Sequence, residues 1–257
     1  MATVIAKGAA EAVRQHVSEG FSSLLSYCSR YSRLALLRQR NSIATRFVPF
    51  TQRTWSSDLP WSVHFWKTVR DSKWRRPRDE RIHWKGVLNM KDPFSLASYP
   101  LLIHELKPAT IIELGAYIGG SALWLADMLE IHGIDGRIYS FDIEVDRITA
   151  KHPRVEFKWA DSRNLQSFDA AWLASLPHPW LVIEDAHCNV YEVLRFFGAM
   201  MHPGDYLIVE DTLQLSKYRT LQRFIQDHHD QYLVDTRYVD MFGYNVTCHP
   251  NSYFKKV

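Results

Sequence analysis

The stretch that most constrains this chain runs from Ala109 to Glu144, ATIIELGAYIGGSALWLADMLEIHGIDGRIYSFDIE. It reads as strand, turn, helix and second strand in one unit. Thr110, Ile111 and Ile112, leading into Glu113 and Leu114, form a short, apolar, β-branched run of the kind expected of a buried parallel strand. Gly115, Gly119 and Gly120 interrupt it, and helical spacing resumes over Ser121 to Glu130 through Leu123, Leu125, Ala126 and Leu129. A second strand, Arg137 to Ile143, carries Asp142 at its end. Glycines at such a turn let the backbone pass close to a ligand, and an acid ending the next strand can accept both hydroxyls of a ribose. The unit predicts a nucleoside site.

The glycine spacing narrows the nucleoside. A dinucleotide site needs G-x-G-x-x-G, so that amides at the helix start hold a pyrophosphate. Here the pattern is E-x-G-x-x-x-G-G, with bulky Tyr117 and Ile118 in the loop. Glu113, two residues before the first glycine, repels a phosphate and suits a cationic amino-acid tail. In these residues the chain resembles the class I S-adenosylmethionine methyltransferases, whose first motif is an E/D-x-G-x-x-x-G loop and whose second is the ribose-binding acid. The resemblance implies that Glu113, Gly115 and Ser121 hold the methionine half of the cofactor, with Tyr117 and Gly119 in the same loop, and that Asp142 holds the ribose.

At 257 residues the chain can bury one α/β domain and carry an appendage. No run approaches the roughly 18 consecutive apolar residues of a membrane span. Cys28, Cys188 and Cys248 are far apart and form no C-x-x-C pair, which points away from a disulfide framework or thiolate zinc site and toward a reducing, cytoplasmic setting. The net charge of +3 conceals an asymmetry: residues 1–91 hold 17 Lys and Arg against 6 Asp and Glu, while residues 92–257 hold 14 against 22. The basic third is interleaved with Trp55, Trp61, Phe65, Trp66, Trp74 and Trp84, and reads as a docking segment with a solvated basic face rather than a nucleic-acid surface.

Val4 to roughly Arg40 has apolar residues at near-helical spacing, from Val13 and Val17 to Leu36 and Leu37, with Arg and Ser between them. Oligomerisation or docking helices are expected there, and a homo-oligomer with them; the same composition is also that of an organelle transit peptide. Residues 41–60 read as a linker and 72–81 as a charged loop. Residues 1–82 are thus expected to form a basic, aromatic-rich helical segment for oligomerisation, docking or covering the acceptor, and residues 83–257 the cofactor-binding domain.

Within 83–108, HWKGVLNMKDPFSLASYPLLIHELKP, the order is W-x-G, an acid–proline pair, then E-x-K-P before the first strand. The tail repeats the point with F-G-x-N-x-T-x-x-P-N-x-Y-x-K. In both, the chain resembles the cephalosporin hydroxylase and rhamnosyl O-methyltransferase family, whose fold and motifs are those of metal-dependent O-methyltransferases. Asn245-Val246-Thr247 also spells a glycosylation sequon, a weak reading without a secretory signal.

Beyond Asp142 a third strand, Val155 to Lys158, leads to Asp161 and Ser162. The resemblance places that pair at the adenine; as helix caps they would need no ligand. The apolar strand Trp180 to Glu184 ends in Glu184, Asp185, His187 and Asn189, and the strand Tyr206 to Val209 ends in Glu210, Asp211 and Thr212. Acids from two strand ends converge where open α/β sheets bind ligands, and three carboxylates on one cavity repel unless a cation sits among them. Asp185, Glu210 and Asp211 are hard oxygen ligands suited to Mg²⁺, and the family implies the same three. The metal would chelate two neighbouring substrate oxygens, and His187, two residues past Asp185, is placed as general base. Asp185 is expected to touch both cofactor and metal and to share the chemistry with His187. Glu184 is unexpected at the end of a buried strand and is either an alternative ligand or an acid behind the ligands. His178, His202, His228, His229 and His249 read as surface or packing residues.

These features predict a class I methyltransferase (Rossmann-like) fold: a mostly parallel seven-stranded sheet with helices on both faces, preceded by a helical extension. The expected activity is methyl transfer from S-adenosylmethionine, with Mg²⁺ or another divalent cation, to a small-molecule hydroxyl on a sugar, polyketide-like or phenolic acceptor with a neighbouring oxygen. Two alternatives stand beside it. One is a hydroxylase component, disfavoured by the lack of a two-His, one-carboxylate iron set. The other is a non-catalytic cofactor-binding subunit, which would have no need of Asp185, His187, Glu210 and Asp211.

Overall fold

The computed structural model describes residues 46–58 and 81–257. The amphipathic start, and with it the expectation of oligomerisation, lies outside the described residues, as does all of the charged loop but Arg81. In chain order the elements are β1 (Phe47–Val48), β2 (His83–Trp84), β3 (Val87–Leu88), α1 (Pro93–Leu106), β4 (Thr110–Leu114), α2 (Gly120–Ile131), β5 (Arg137–Asp142), β6 (Val155–Trp159), α3 (Ala170–Ala174) and β7 (Trp180–Glu184). They continue with α4 (Val190–Gly198), β8 (Tyr206–Val209), α5 (Leu215–Asp227), β9 (Tyr232–Asp235), α6 (Thr236–Val239) and β10 (Tyr253–Lys256).

One sheet carries the domain, in the order β1-β9-β10-β8-β7-β4-β5-β6, while β2 and β3 form a separate hairpin. The strands from β8 to β6 are parallel, and β10 runs antiparallel to both β8 and β9. The sheet has eight strands where seven were expected. The extra one is β1, antiparallel to β9 at the edge, and it comes from the stretch that reads as a linker. What holds it is charge and an aromatic anchor: Arg46 binds buried Asp235 at 2.8 Å and Glu105 at 2.6 Å, and Phe50 is buried between Tyr218 and Phe254. Arg53 then reaches both oxygens of Asp240, at 2.9 and 2.7 Å. Residues 46–58 therefore pack with the domain expected to begin at residue 83.

The crossovers fix where the helices lie. From β4 the chain passes through α2 to β5 on one side, and from β7 through α4 to β8 on the other. Right-handed crossovers in opposite directions put α2 and α4 on opposite faces. α1 packs on α2, and α5 on α4. All residues of β4, β7 and β8 are buried, so these strands are mainly apolar, as sheet interiors covered on both faces must be, with Glu113 and Glu184 as buried acids near their ends. Their carboxyl ends stand level, with Leu114 beside both Phe141 and Glu184, and Glu184 beside Val209. Strand order reverses between β4 and β7, which is the switch point where such sheets bind ligands. Among the described residues no helix is long and apolar enough to cross a membrane.

The glycines of the β4–α2 turn serve packing first. A Cβ on Gly115, at φ +98°, would lie 2.7 Å from the Asp185 carbonyl oxygen, and one on Gly120 would lie 2.0 Å from that of Leu88. Alanine is the better helix former by about 1 kcal/mol, yet moving the Leu88 backbone costs more. Gly120→Ala is therefore expected to lower stability by about 2 kcal/mol. Urea unfolding measures this, and an unchanged or higher midpoint would show that the hairpin does not press on the turn.

Candidate active site

The loops after β4, β5, β6, β7 and β8 surround a cavity of about 440 Å³, within the range of small-ligand pockets. Met90, Phe141, Ile143 and Ala160 give it apolar walls, and Asp142, Glu144, Asp161, Asp185 and Asp211 make it acidic, against Arg81 and Arg163. Asp142 ends β5 with each oxygen fixed by a backbone amide, Tyr117 N at 2.8 Å and Glu144 N at 2.9 Å. Each carboxylate oxygen keeps a second lone pair for a ribose hydroxyl.

Two Glu-Asp pairs leave the sheet side by side, Glu184-Asp185 from β7 and Glu210-Asp211 from β8. They are offset by one residue, because Glu184 is level with Val209, which sets Asp185 level with Glu210. Neighbours at one level share a face, and consecutive residues do not. Asp185 and Glu210 accordingly meet one lysine: Lys91 Nζ is 3.0 Å from Asp185 Oδ2 and 2.5 Å from Glu210 Oε1. Glu184 turns the other way, to Lys217 of α5 at 2.7 Å. The glutamates are buried, whereas the side chains of Asp185 and Asp211 are 22% and 25% exposed and line the cavity.

His187 stands over these acids. Its Nε2 is 3.2 Å from Asp185 Oδ1 and 3.6 Å from Asp211 Oδ2, and its Nδ1 is 3.1 Å from Lys217 Nζ. An ammonium can only donate, so Nδ1 accepts from Lys217 and the neutral ring carries its proton on Nε2. Its backbone N–H donates to Glu184 Oε1 at 3.1 Å. The hydrogen bond to Asp185 raises the His187 pKa above its usual value against the opposing effect of burial. For Asp185 burial acts upward, but Lys91, His187 and Lys217 hold the carboxyl well below the usual carboxylate range. Burial pushes the Glu113 carboxyl up, offset in part by Lys91.

The model of the rhamnosyl O-methyltransferase/CmcI family matches residues 78–257. The chain belongs to that family. A rhamnosyl O-methyltransferase of Mycobacterium leprae is 26% identical over 148 residues, which cover 55% of this chain and 64% of that protein. The match thus spans just under two thirds of that relative's length. One from Mycobacterium tuberculosis is 22% identical over 188 residues, 66% of this chain and 74% of that protein. Among solved structures, CmcI with Mg and SAM aligns at TM-score 0.60 and 26% identity, covering 78% of this chain and 87% of that one. CmcI with SAH aligns at TM-score 0.57 and 25% identity, over 78% and 95%.

In this member of the rhamnosyl O-methyltransferase/CmcI family, Gly115, Tyr117, Asp142, Asp161, Ser162, Asp185, His187 and Asp211 all line the cavity. Glu113, Gly119, Ser121 and Glu210 are not in its wall. Glu113 lies buried beneath it, accepting from Ser140 at 2.5 Å, and Gly119 is closed over by Ala150 and Phe157. At the cavity the side chains whose ligating atoms gather within 4.8 Å are Asp185, His187 and Asp211, while Glu210 accepts from Lys91 and from the Tyr99 hydroxyl; Asp127, Glu130 and His152 form a second such group away from the cavity wall. Lys91, Lys217 and His249 are the functional neighbours that sequence reasoning passed over. His249, read there as surface or packing, is fully buried and accepts the Asp211 backbone N–H on Nδ1 at 2.8 Å. Asn245 of the sequon is also fully buried, donating to Thr54 O and Ser56 O, which leaves no room for a glycan.

The raised His187 pKa has a signed consequence. Its stabilisation is fully present below the unfolded value near 6.5 and is lost as pH rises through the higher folded value. In chelator-treated protein, wild type should therefore lose stability from just above pH 6.5 upward, and His187→Gln should flatten that slope. Urea midpoints across this range decide it; parallel profiles for the two proteins would mean that His187 is not coupled to Asp185.

Proposed function

We propose that the chain is an S-adenosylmethionine-dependent O-methyltransferase that acts, with a divalent cation, on a hydroxyl of a small molecule bearing a neighbouring oxygen. The observation that carries this is one acidic cavity at the switch point, with Asp142 on one side and Asp185, His187 and Asp211 on the other. Its family membership and its alignment with CmcI carrying Mg and SAM support the same reading.

The residues fit both groups. The nucleoside would lie against Asp142 with its base toward Asp161 and Ser162, and the acidic lining suits the positive charges of a sulfonium and an amino group. Asp185 and Asp211 offer hard oxygens for Mg²⁺ with positions left open, and His187 Nε2 lies within the same cluster. S-adenosylmethionine supplies an electrophilic methyl, and a bound cation lowers the pKa of the acceptor hydroxyl.

His187 also lines a second cavity of about 350 Å³ with Asn189, Tyr191, Gln214, Ser216, Lys217 and Thr220. It is thus the wall shared by the cofactor cavity and a second space of mixed polar and apolar lining, Val190 included, that would take the acceptor. An acceptor entering there meets His187, whose imidazole is placed to take the hydroxyl proton once Lys217, which donates to Nδ1 at 3.1 Å, turns away. Asp185 holds the opposite nitrogen and orients the ring.

Calorimetric titration of S-adenosylmethionine and of Mg²⁺ tests the assignment. Asp142→Ala should weaken cofactor binding by about tenfold or more and leave Mg²⁺ binding intact, with Asp211→Asn doing the reverse, as loss of a charged partner predicts. Absence of cofactor binding to the wild type would overturn the proposal.

A further inference from the structure

The carboxylates that line the cofactor cavity suit the sulfonium and ammonium of S-adenosylmethionine, which leaves the cofactor's own carboxylate as the group they repel. Two arginines stand against them in the lining, Arg81 and Arg163. Arg163 belongs to the base end: its Nε lies 3.1 Å from Asp161 Oδ1, and its backbone N–H donates to the same oxygen at 2.9 Å. Arg81 comes from the other side, just before the β2–β3 hairpin.

That hairpin is pinned to α2, because Trp84 Nε1 and Lys85 Nζ reach the two oxygens of Asp127 at 2.5 and 2.6 Å. Its feet are tied together by the Asn89 N–H, which donates to Ile82 O at 2.8 Å, and His83 Nδ1 donates to the Arg81 carbonyl at 2.8 Å. The exit foot lies on the first residue of α2, where a Cβ on Gly120 would meet the Leu88 carbonyl and come within 3.1 Å of Asn89 Cα. A helix start ordinarily offers its amides to an anion. Here the main chain of Leu88 and Asn89 packs against that end of α2, and the same hairpin brings Arg81 and Met90 to the cavity in its place.

We propose that Arg81 is the carboxylate-binding residue of the cofactor site: its guanidinium pairs with the carboxylate of the methionine half, so that the hairpin selects a ligand carrying a complete amino acid. The inference rests on the S-adenosylmethionine reading above. The planar fork of an arginine matches a carboxylate through two parallel N–H donors. With five donors in all, the side chain can make that pair and keep another partner. Arg81 and Arg163 thus divide the cavity, one cation for the amino-acid end and one at the base.

The test titrates the full chain by calorimetry with S-adenosylmethionine and with its decarboxylated analogue, which keeps the nucleoside, the sulfonium and the ammonium. Wild type should bind S-adenosylmethionine about tenfold or more tighter than the analogue, as a charge-assisted pair predicts. Arg81→Met should lose about tenfold or more in affinity for S-adenosylmethionine and stay within about twofold of wild type for the analogue. Arg81→Lys should recover part of the loss, since it keeps the charge without the fork. An unchanged affinity for the analogue also shows that the site is still folded. If Arg81→Met binds S-adenosylmethionine as wild type does, or if both Arg81 variants weaken the two ligands alike, the inference is overturned while the methyltransferase reading stands. If wild type binds the analogue as tightly as S-adenosylmethionine, the carboxylate has no partner and the inference fails in the same way. If wild type binds neither ligand, both fail.

Discussion

Carboxylate repulsion at the switch point is the constraint that the rest of this structure answers. Strands β4, β7 and β8 each end on glutamate or deliver one, and β5 ends on aspartate; Asp142 and the aspartates that follow Glu184 and Glu210 line the cavity, with the glutamates buried behind it. Two like charges 4 Å apart repel by about 4 kcal/mol at an effective dielectric of about 20. Burying several acids together is tolerable only because lysines come with them. Lys91 arrives from the loop before α1 and Lys217 from α5, so each face of the sheet contributes one cation. The lysine ammonium suits this task, being a compact point charge with three donors that can be divided between acids. From these strand ends, Asp142, Asp185 and Asp211 remain facing the cavity, each partly open to water.

The loops that carry these acids are held in backbone conformations that side chains disfavour. Tyr117, His187 and Asp211 all have positive φ, at 52°, 58° and 54°. Such residues cost about 1–3 kcal/mol each and persist only where the surroundings dictate them. Here the surroundings are visible: Asp142 accepts the Tyr117 N–H, Glu184 that of His187, and His249 that of Asp211. The same buried groups that offset charge therefore also set the direction of the ligand-facing side chains. Stability and site geometry are one network, and a substitution at Glu184 or His249 acts on the cavity without entering it.

Much of this was legible in the sequence. β7 and β8 stand where their apolar runs place them, Trp180–Glu184 and Tyr206–Val209, because strands covered on both faces are apolar up to the acids at their ends. The glycine loop, Asp142 and the Glu210-Asp211 strand end were equally plain, since type and spacing alone mark them. Other features lie beyond local pattern. β1 is two residues long, too short for any period, and is held by Arg46 reaching Asp235 across 189 positions. Lys91 reads as one cation in a basic stretch until its partner Glu210, 119 residues on, is brought against it. Glu184 looked misplaced at the end of a buried strand because Lys217 was not yet beside it. In each case the missing information was a long-range ion pair, which composition announces but spacing cannot assign.

Register is what turns the two Glu-Asp pairs into a site rather than a row of four acids. If Glu184 stood level with Glu210, both glutamates would share a face and both aspartates the other, and one lysine would confront two buried carboxylates while the other had none. The one-residue offset mixes the pairs, so that Asp185 shares Lys91 with Glu210 while Glu184 is left to Lys217. Because strand side chains alternate, a slip of a single residue between β7 and β8 would exchange these partners and strand charge on both faces. The backbone bond from Glu210 N to Glu184 O at 3.0 Å, at the last rung of the ladder, lies where that register must hold. The electrostatics of the cavity are thus set by sheet pairing, and the geometry of the site inherits the rigidity of strands buried along their whole length.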